Sequence, residues 1–336
     1  MSEKYNIAIV GATGAVGETI LEVLEQRKFP VGQLYLLASE SSAGKRYRFS
    51  GRSILVETLD LFDFSQVDFA FFSAGGDISA EYAPQAAAAG CKVIDNTSHF
   101  RYDDDKALVI PEVNPQALNE SDSSIIANPN CSTIQMMVAL KPIYDAVGIE
   151  RINVATYQAV SGTGKTALEE LAAQTAQLLN MKKVETKIYP KQIAFNVLPQ
   201  IDVLMENGYT KEEMKMVWET KKILGDDSID VNPTAVRVPV FYGHSLALHV
   251  ETSEKIMVNQ AKELLKSAPG IVLLDEMNDE GYPTAVTEAS GNDEVYIGRV
   301  REDISCENGL DLWVVSDNVR KGAATNSVQI AELLAK

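Results

Sequence analysis

Two hydrophobic patterns alternate along the first third of the chain. Tyr5–Val10 is a continuous apolar run rich in β-branched residues, which predicts a strand buried on both faces. Glu18–Arg27 instead carries its apolar residues at helical spacing. The same patterns predict further strands at Leu34–Ala38, Val67–Phe72 and Cys91–Asp95. They also predict a helix at Ala80–Ala89, which ends at Gly90. Strand and helix in alternation predict a doubly wound α/β sheet.

The pattern changes near Asn128. Asn-Pro-Asn at 128–130 is a turn signal, and Ser132–Val147 has a strong helical pattern. The longer strands predicted after it are Ile152–Val160, Val236–Phe241, Ser245–Thr252, Val295–Val300 and Leu310–Ser316. The helices predicted among and after them are Thr166–Leu179, Thr210–Leu224, Lys255–Ser267 and Asn318–Leu334, with a short polar loop at Gly225–Pro233. This order predicts an α+β domain with a mostly antiparallel sheet.

Length and charge narrow the classes of function. The 336 residues suffice for about two domains. Lys and Arg number 30 against 47 Asp and Glu, so the net charge is −17, and we expect the surface to repel nucleic acids and anionic membranes. No apolar run approaches the roughly 18 residues of a membrane helix, and the start has no targeting pattern. Three cysteines without zinc-like spacing predict no metal site and a reducing, cytoplasmic location.

A glycine-rich loop connects the first strand to the first helix. Its sequence is GATGAVG at 11–17, a variant of the dinucleotide-binding fingerprint. Glycines let backbone N–H groups approach a phosphate closely, and the start of a helix adds a positive dipole. Because the loop lies directly between a predicted strand and a predicted helix, it predicts a dinucleotide site rather than a structural turn.

The end of the second strand bears on which dinucleotide binds. An acidic residue there would favour NAD, since it would hold the ribose hydroxyl groups. The segment after Ala38 contains Ser39, Ser41 and Ser42 and then two basic residues, which suits a 2′-phosphate. Glu40 argues for NAD. We favour NADP.

A second glycine-rich segment resembles a phosphate-binding loop. Val160–Thr166 ends in Gly-Lys-Thr between a predicted strand and a predicted helix, as in an ATPase. However, Ala159 occupies the first glycine position of that motif. The alternative is that Ser161 and Gly162 form a second loop facing the nicotinamide.

Cys131 is the candidate nucleophile among the three cysteines. It stands at the start of a predicted helix, where the dipole stabilises a thiolate. Cys91 opens a strand and is interpreted as a small core residue, and Cys306 follows a strand-like segment and is interpreted as structural.

Three histidines limit the search for an acid–base group. His244 follows Gly243 in a predicted turn between strands, a usual place for functional side chains. His249 falls within a strand pattern and is interpreted as packed or at the surface. His99 lies in the loop Asn96–Arg101, and its spacing does not exclude it.

At this point the motifs converge, because the chain resembles the aspartate-semialdehyde dehydrogenases. The resemblance is carried, in the expected order along nearly the whole chain, by Gly11–Gly17, Asn96–Arg101, Asn128–Thr133, Gln158–Gly164, Trp218–Leu224, Arg237–Ser245 and Ser316–Gly322. It implies an NADP-binding, Rossmann-like domain at 1–128 plus 319–336, whose last helix folds back onto it. It also implies a catalytic and dimerisation domain at 129–318, and a homodimer or homotetramer.

The resemblance also implies roles for individual residues. Cys131 would be the nucleophile, His244 the general acid–base and Gln158 the residue that orients the substrate. Substrate binding would involve Arg237 on the carboxylate, Glu219 on the amine, Arg101 and Lys222 on phosphate, with Asn130 nearby. NADP contacts are implied for Gly11, Thr13, Gly14, Ala15, Val16, Ser39, Ser41, Ser42, Ser161, Gly162 and Asn318.

The residue types fit the implied chemistry, with some alternatives open. Arginine pairs with a carboxylate in a bidentate way, and a buried amide such as Gln158 needs polar partners. From the residues alone, Arg237 could be an ordinary ion-pair partner, and Glu219 and Lys222, three apart on a helix, could pair with each other.

The implied reaction is the reductive dephosphorylation of L-aspartyl 4-phosphate to L-aspartate 4-semialdehyde through a cysteine thioester, with release of inorganic phosphate. It belongs to the biosynthesis of lysine, threonine, methionine and diaminopimelate. Alternatives are the same chemistry on N-acetylglutamyl phosphate, and a non-catalytic paralogue that binds a nucleotide. The helix-start position of Cys131 argues against the latter.

Overall fold

The structure is a computed structural model that describes residues 4–335. These residues separate into two compact units. The first comprises the described residues of Met1–Asn130 and Ala323–Lys336, and the second comprises Cys131–Gly322.

An eight-stranded sheet forms the centre of the first unit. Its strands are β1 (Tyr5–Val10), β2 (Val31–Ala38), β3 (Arg46–Phe49), β4 (Arg52–Thr58), β5 (Phe69–Phe72), β6 (Lys92–Asp95), β7 (Ala107–Leu108) and β8 (Ile125–Ala127). They lie in the order β3-β4-β2-β1-β5-β6-β8-β7. All neighbouring pairs are parallel except β3 with β4. The predicted doubly wound parallel sheet is confirmed, and the carboxyl ends of its parallel strands share one edge.

Helices cover this sheet. They are α1 (Ala15–Gln26), α2 (Gly76–Ala88), the short α3 (Ala117–Glu120) and α8 (Thr325–Leu334). Ile20 and Leu24 of α1 share one apolar core with Val328 and Ile330 of α8. Each such buried side chain contributes about 1.5–3 kcal/mol. The last helix therefore completes the core of the first unit, although it comes from the far end of the chain.

The second unit is built on a six-stranded mixed sheet. Its strands are β9 (Ile149–Gln158), β10 (Asp230–Arg237), β11 (His244–Thr252), β12 (Ile271–Leu273), β13 (Val295–Glu302) and β14 (Gly309–Ser316), in the order β10-β9-β11-β14-β13-β12. The three central pairings are antiparallel, as expected, and the two outer ones are parallel. Its helices are α4 (Cys131–Val147), α5 (Lys165–Leu179), α6 (Lys211–Leu224) and α7 (Val258–Ser267).

Two of the predicted elements are clearly wrong in extent. The strand predicted at Val236–Phe241 ends at Arg237, while Asp230–Pro233, predicted as loop, forms the start of β10. The strand tolerates Pro233 because β10 is at the edge of its sheet, where a missing N–H breaks no ladder. The helix predicted at Asn318–Leu334 begins instead as a short wide turn at Arg320–Ala324 and continues as α8.

Among residues 4–335, no helix combines the length and the apolar character needed to cross a bilayer.

Candidate active site

The backbone of the glycine-rich loop packs too closely for side chains at two of its positions. Gly11 has φ +87°, and a Cβ there would lie 2.9 Å from the backbone nitrogen of Ala74. A Cβ on Gly17 would lie only 2.3 Å from the carbonyl oxygen of Gly11. Both positions therefore require glycine. The first turn of α1, which begins at Ala15 after Gly14, presents backbone N–H groups with no partner inside the helix. A glycine loop before a helix start is typical of a dinucleotide-binding site, and the predicted contacts of Thr13 and Val16 with the cofactor stay predictions.

The serines predicted to favour NADP lie directly after β2. The hydroxyl oxygens of Ser39 and Ser41 are 3.0 Å apart, and Ser42 closes a single helical turn. Because Leu37 of β2 pairs with Val10 of β1, this turn and the glycine loop follow neighbouring strands at the same sheet edge. The hydroxyl donors suit a 2′-phosphate, whereas Glu40, which is exposed in the same turn, argues for NAD.

The other candidates of the first unit follow strands further along that edge. Arg101 is buried in the loop after β6 and donates from Nη2 to the carbonyl oxygen of Asn96 at 2.9 Å. His99 is exposed in the same loop. Asn130 is buried just before α4. A buried guanidinium of this kind can bind an anion, but the predicted phosphate role of Arg101 stays a prediction.

Cys131 is the first residue of the 17-residue helix α4, as predicted. That position stabilises a thiolate, because the N–H groups of the first turn point toward it. Cys91 differs: it is fully buried, its thiol donates to the carbonyl oxygens of Phe64 and Val67, and burial raises its pKa to about 11. The structure therefore supports Cys131 and not Cys91 as the reactive thiol.

Gln158 connects the start of α4 to the rest of the second unit. Its amide nitrogen donates to the hydroxyl of Ser132 at 3.0 Å and to the carboxylate of Glu212 at 3.1 Å, and it is also 3.3 Å from the hydroxyl of Thr156. Its amide oxygen is 3.5 Å from Nη1 of Arg237. The expectation that this buried amide needs polar partners is confirmed. Its contact with Ser132, the residue that follows Cys131 in the sequence, fits an orienting role.

His244 is fully buried at the first residue of β11. Its Nδ1 accepts a hydrogen bond from the backbone N–H of Ala159 at 3.0 Å, whereas Nε2 is buried without a partner among the described residues. Burial, and then the positive charge of Arg237, lower its pKa to about 3, against an opposing effect of Glu212. The predicted turn before His244 is present, and the ring is neutral at physiological pH.

Arg237 lies next to this ring. It is buried at the end of β10 and donates from Nη1 to the carbonyl oxygen of Ala159 at 2.8 Å. Its Nε is buried without a partner among the described residues. A Cβ on Gly162 would lie 3.0 Å from Nη1 of Arg237 and 3.5 Å from Nε2 of His244. Glycine at 162 thus lets the guanidinium of Arg237 and the imidazole of His244 approach this loop closely.

Ser161 and Asn318 hold the loops around His244 together. The hydroxyl of Ser161 and the amide of Asn318 are hydrogen-bonded, with 3.1 Å to Oδ1 and 3.0 Å to Nδ2. Oδ1 of Asn318 also accepts the backbone N–H of Gly243 at 2.9 Å. Both side chains are buried. Their predicted contacts with the cofactor stay predictions, while their structural role is visible here.

Helix α6 carries two predicted residues and one that sequence analysis missed. Glu219 is buried and Lys222 is half-buried, and their substrate roles stay predictions. Glu212, two turns before Glu219, is buried and accepts from both Gln158 and the ammonium of Lys215, the latter at 2.9 Å. No motif marked Glu212. The only feature of the sequence that could have indicated Glu212 is the presence of an acidic residue at the start of an amphipathic helix.

Two models of known protein families match the chain. The family model described as "Semialdehyde dehydrogenase, NAD binding domain" matches residues 6–121, and the one described as "Semialdehyde dehydrogenase, dimerisation domain" matches residues 140–321. The fold and site thus define an oxidoreductase of the semialdehyde dehydrogenase class that uses a nicotinamide dinucleotide.

Comparison with individual proteins identifies the family within this class. An aspartate-semialdehyde dehydrogenase of Shewanella sp. (strain DB6705) is 63% identical over 335 residues, which cover 99% of this chain and 98% of the relative. The chain belongs to the aspartate-semialdehyde dehydrogenase family. The crystal structure of aspartate semialdehyde dehydrogenase II from Vibrio cholerae complexed with ASA matches with a TM-score of 0.97 at 63% identity, covering 99% of this chain and 98% of the other. A Candida albicans enzyme solved with NADP has a TM-score of 0.76 at 25% identity, covering 99% and 98%.

Proposed function

We propose that this protein reduces L-aspartyl 4-phosphate to L-aspartate 4-semialdehyde with NADPH and releases inorganic phosphate, on the biosynthetic route to lysine, threonine, methionine and diaminopimelate. The observation that carries the proposal is the arrangement of Cys131 at a helix start, with Gln158, Arg237 and His244 linked through Ser132 and Ala159. Relatives at 63% identity bear the name of this enzyme.

Cys131 acts as the nucleophile in this proposal. Its thiolate adds to the acyl carbon, the C=O bond re-forms as phosphate leaves with its electron pair, and a thioester remains on the sulfur. When bound, the nicotinamide supplies the hydride that takes the thioester to the aldehyde level. Gln158 orients the reacting carbonyl, because its amide is fixed by Ser132 and Glu212. His244 serves as the general acid–base that exchanges a proton with the oxygen of the adduct.

Charged side chains recognise the rest of the substrate. Arg237 binds the α-carboxylate, since a buried guanidinium offers paired donors to a planar anion. Glu219 holds the amine. Arg101 and Lys222 are each a candidate for binding phosphate, and Asn130 is a further candidate for substrate contact. Local cations of this kind let a chain of net charge −17 bind an anionic substrate.

NADP is the proposed cofactor. The glycine loop at 11–17 and the hydroxyls of Ser39, Ser41 and Ser42 support this choice, as does the NADP in the Candida albicans relative. Ser161, Gly162 and Asn318 remain candidate contacts. Measuring initial rates with NADP⁺ and NAD⁺ at equal concentration tests the preference, and a clear preference for NAD⁺ would contradict it.

We also propose a homodimer, or a homotetramer built from dimers, in the cytoplasm. Helix α4 packs against β9, β11, β13 and β14, whereas the rings of Tyr157 and Trp313 meet at 5.7 Å with Tyr157 39% exposed. An aromatic pair on a sheet, with one of its rings exposed, suits an interface. Light scattering at several protein concentrations measures the mass, and a monomer throughout would contradict the proposal.

The reaction itself is tested with purified protein, L-aspartate semialdehyde and NADP⁺, with and without phosphate. We expect NADPH absorbance to rise only when phosphate is present, because phosphate must release the acyl group from Cys131. Absence of a rise while Cys131 still reacts with iodoacetamide would point to another substrate, and N-acetylglutamate semialdehyde is then the next to try. Slow, equal alkylation of all three thiols, with no turnover, would favour a non-catalytic protein.

A further inference from the structure

The connection between α5 and α6 is long and irregular. The structure describes every residue from Asn180 to Thr210, and these about thirty residues form no helix or strand apart from single-residue bridges. Irregular connections longer than about 12–15 residues are uncommon in compact domains and usually serve a function. This connection therefore needs contacts outside itself to hold its shape.

A buried carboxylate of α5 holds the first half of the connection. Glu170 accepts the backbone N–H groups of Lys187 at 3.0 Å, of Ile188, and of Tyr189 at 3.4 Å. It also accepts the amide of Gln174 at 3.0 Å. Since a carboxylate accepts about four hydrogen bonds, these donors use its capacity, and three of the four belong to the backbone of the connection.

Gln174, one turn further along α5, uses both ends of its amide. Its Oε1 accepts the backbone N–H groups of Ile193 at 3.0 Å and of Ala194 at 3.2 Å. Its Nε2 donates to the carbonyl oxygen of Glu185 at 3.1 Å as well as to Glu170. Only 1% of Gln174 is exposed. A buried amide paired in this way fixes the backbone that it contacts, because each lost bond would leave a buried polar group unpaired.

The segment held in this way, residues 185–198, is here called the brace, and it contacts two parts of the candidate site. The hydroxyl groups of Tyr189 and Thr163 are 3.0 Å apart, and Thr163 follows the candidate cofactor residue Gly162. Leu198 and Arg237 exchange two backbone hydrogen bonds, of 2.9 and 2.8 Å. The second contact supports the edge strand β10 at the residue proposed to bind the carboxylate.

Apolar packing supports the same connection. Val160, which begins the loop of Ser161 and Gly162, lies in one buried core with Ile193 and Leu198 of the brace. The brace is therefore packed against the start of the candidate cofactor loop, in addition to its hydrogen bond with Thr163.

We propose that Glu170 and Gln174 are positioning residues for substrate and cofactor binding. By fixing the brace on α5, they keep the loop of Gly162 and the backbone of Arg237 in the arrangement that binds the two ligands. The proposal rests on the proposed function, since it concerns the binding of the proposed substrate and cofactor. If only a fraction of the molecules has the brace in place, the apparent affinity for both ligands falls by that fraction.

Two substitutions in the full-length protein test this role. Gln174→Met keeps the size of the side chain and removes its hydrogen bonds, and Glu170→Gln leaves a single acceptor oxygen. We expect each variant to raise KM for aspartate semialdehyde and Kd for NADP about tenfold, with kcat within about threefold of wild type, because saturating ligands restore the arrangement. Wild-type KM and Kd in both variants would overturn the proposal.

Gln260→Met is the matched control. Oε1 of Gln260 accepts the backbone N–H of Met257 at 3.1 Å, so this variant also loses a bond between a glutamine and the backbone. Helix α7, which carries Gln260, packs against β12 and β13, at the edge of the sheet opposite β10. We expect KM, Kd and kcat of this control to equal those of wild type.

Hydrogen exchange followed by mass spectrometry measures the brace itself. We expect peptides that contain the N–H groups of Lys187, Ile188, Ile193 and Ala194 to exchange faster in Gln174→Met and Glu170→Gln than in wild type, while peptides from β11 do not change. Saturating NADP should slow this exchange in both variants, because coupling between two sites is reciprocal. Faster exchange with unchanged affinity, or no slowing by NADP, would mean that the two residues support only the fold.

Tyr189→Phe decides the question if neither of the two α5 variants folds. It removes one hydroxyl and leaves the ring in place, so the fold is preserved. We expect Kd for NADP to rise about threefold through the lost bond to Thr163, and KM for aspartate semialdehyde to stay at the wild-type value. An unchanged Kd would overturn the proposal.

Failure of this inference is distinguishable from failure of the proposed function. NADP affinity and hydrogen exchange are measured without turnover, so they decide the inference even if the wild-type protein does not turn over aspartate semialdehyde. That result would contradict the proposed function alone. Normal turnover in wild type, with variants that bind both ligands as wild type does, would contradict the inference alone.

Discussion

The Cβ atom that glycine lacks at position 322 would lie 2.8 Å from the Cβ of Cys131 and 3.3 Å from its Cα. The backbone of Gly322, held by a hydrogen bond from its N–H to the carbonyl of Asp317, thus limits where the candidate nucleophile can sit. We expect Gly322→Ala to displace Cys131 and lower kcat at least tenfold, because small errors in the position of a nucleophile cost large factors in rate. Steady-state kinetics measure the effect.

The rate of alkylation by iodoacetamide separates a displaced thiol from a damaged fold. If Gly322→Ala melts at the wild-type temperature but its Cys131 alkylates at a different rate, the change is local. Wild-type kcat in this variant would show that the contact between Gly322 and Cys131 does not constrain the reaction.

Cys131 and Cys306 form a matched pair for testing the nucleophile. Both are half-buried, but only Cys131 begins a long helix. We expect Cys131→Ala to abolish turnover while the affinity for NADP, measured by titration calorimetry, stays within about twofold, because the thiolate forms the covalent bond. Cys306→Ala should retain activity. Turnover at the wild-type rate in Cys131→Ala would refute the proposed mechanism.

The start of α4 could be predicted from the sequence because its causes are local. An Asn-Pro-Asn turn followed by a strong helical pattern defines where the helix begins, and this places Cys131 at its first turn. The first glycine loop and the parallel sheet are equally local signals. The bounds of β10 were predicted wrongly for a non-local reason. Pro233 can lie in this strand only because the strand is at the edge of its sheet, and the order of strands in a sheet cannot be predicted from one segment.

The contacts among candidate residues could not be predicted in this way. Gln158 and Glu212 are 54 positions apart, and Ala159 and His244 are 85 positions apart, yet each pair is hydrogen-bonded. Only the sheet and the packing of α6 bring them together. The hydrogen bond to Nδ1 of His244 comes from a backbone N–H, a group that every residue except proline carries, so no residue type could reveal it.

Arg237 provides a test of substrate recognition. Arg237→Lys keeps the positive charge but loses the planar pair of donors, and we expect KM for aspartate semialdehyde to rise about 10–100-fold with a smaller change in kcat. Arg237→Leu should raise KM further. The exposed Arg52 offers the control, since Arg52→Lys should leave both constants unchanged. If kcat fell and KM did not change in Arg237→Lys, the residue would act on the transition state and not on the carboxylate.

Glu212 and Glu213 are neighbouring buried glutamates with different partners. Glu212 accepts from Gln158, whereas Glu213 accepts from the backbone N–H groups of Thr210 and Ala235 and completes the cap of α6. We expect Glu212→Gln, which loses the ion pair with Lys215, to lower kcat about tenfold because the amide of Gln158 is less well oriented. Glu213→Ala should instead cost about 1 kcal/mol of stability with little change in kcat.

Comparison of the two variants distinguishes loss of the positioning of Gln158 from a general loss of stability of α6. Thermal unfolding and steady-state kinetics are measured on both variants. If both variants lost stability and activity in the same proportion, Glu212 would have no role beyond supporting α6.

The depressed pKa of His244 makes a prediction about stability. In the unfolded chain an ordinary histidine binds a proton near pH 6.5, whereas His244 in the folded protein does so only near pH 3. The unfolded state therefore binds more protons between these values, so the stabilising contribution of the neutral ring is complete above about pH 6.5 and is lost as the pH falls. The expected slope is about 1 kcal/mol per pH unit. The measurement is the unfolding midpoint between about pH 7.5 and 5, above the range in which most carboxylates titrate. We expect this midpoint to fall with decreasing pH in wild type and in the His249→Gln control, and to fall less in His244→Gln. Equal slopes in all three would mean that His244 titrates as an ordinary histidine in the folded protein.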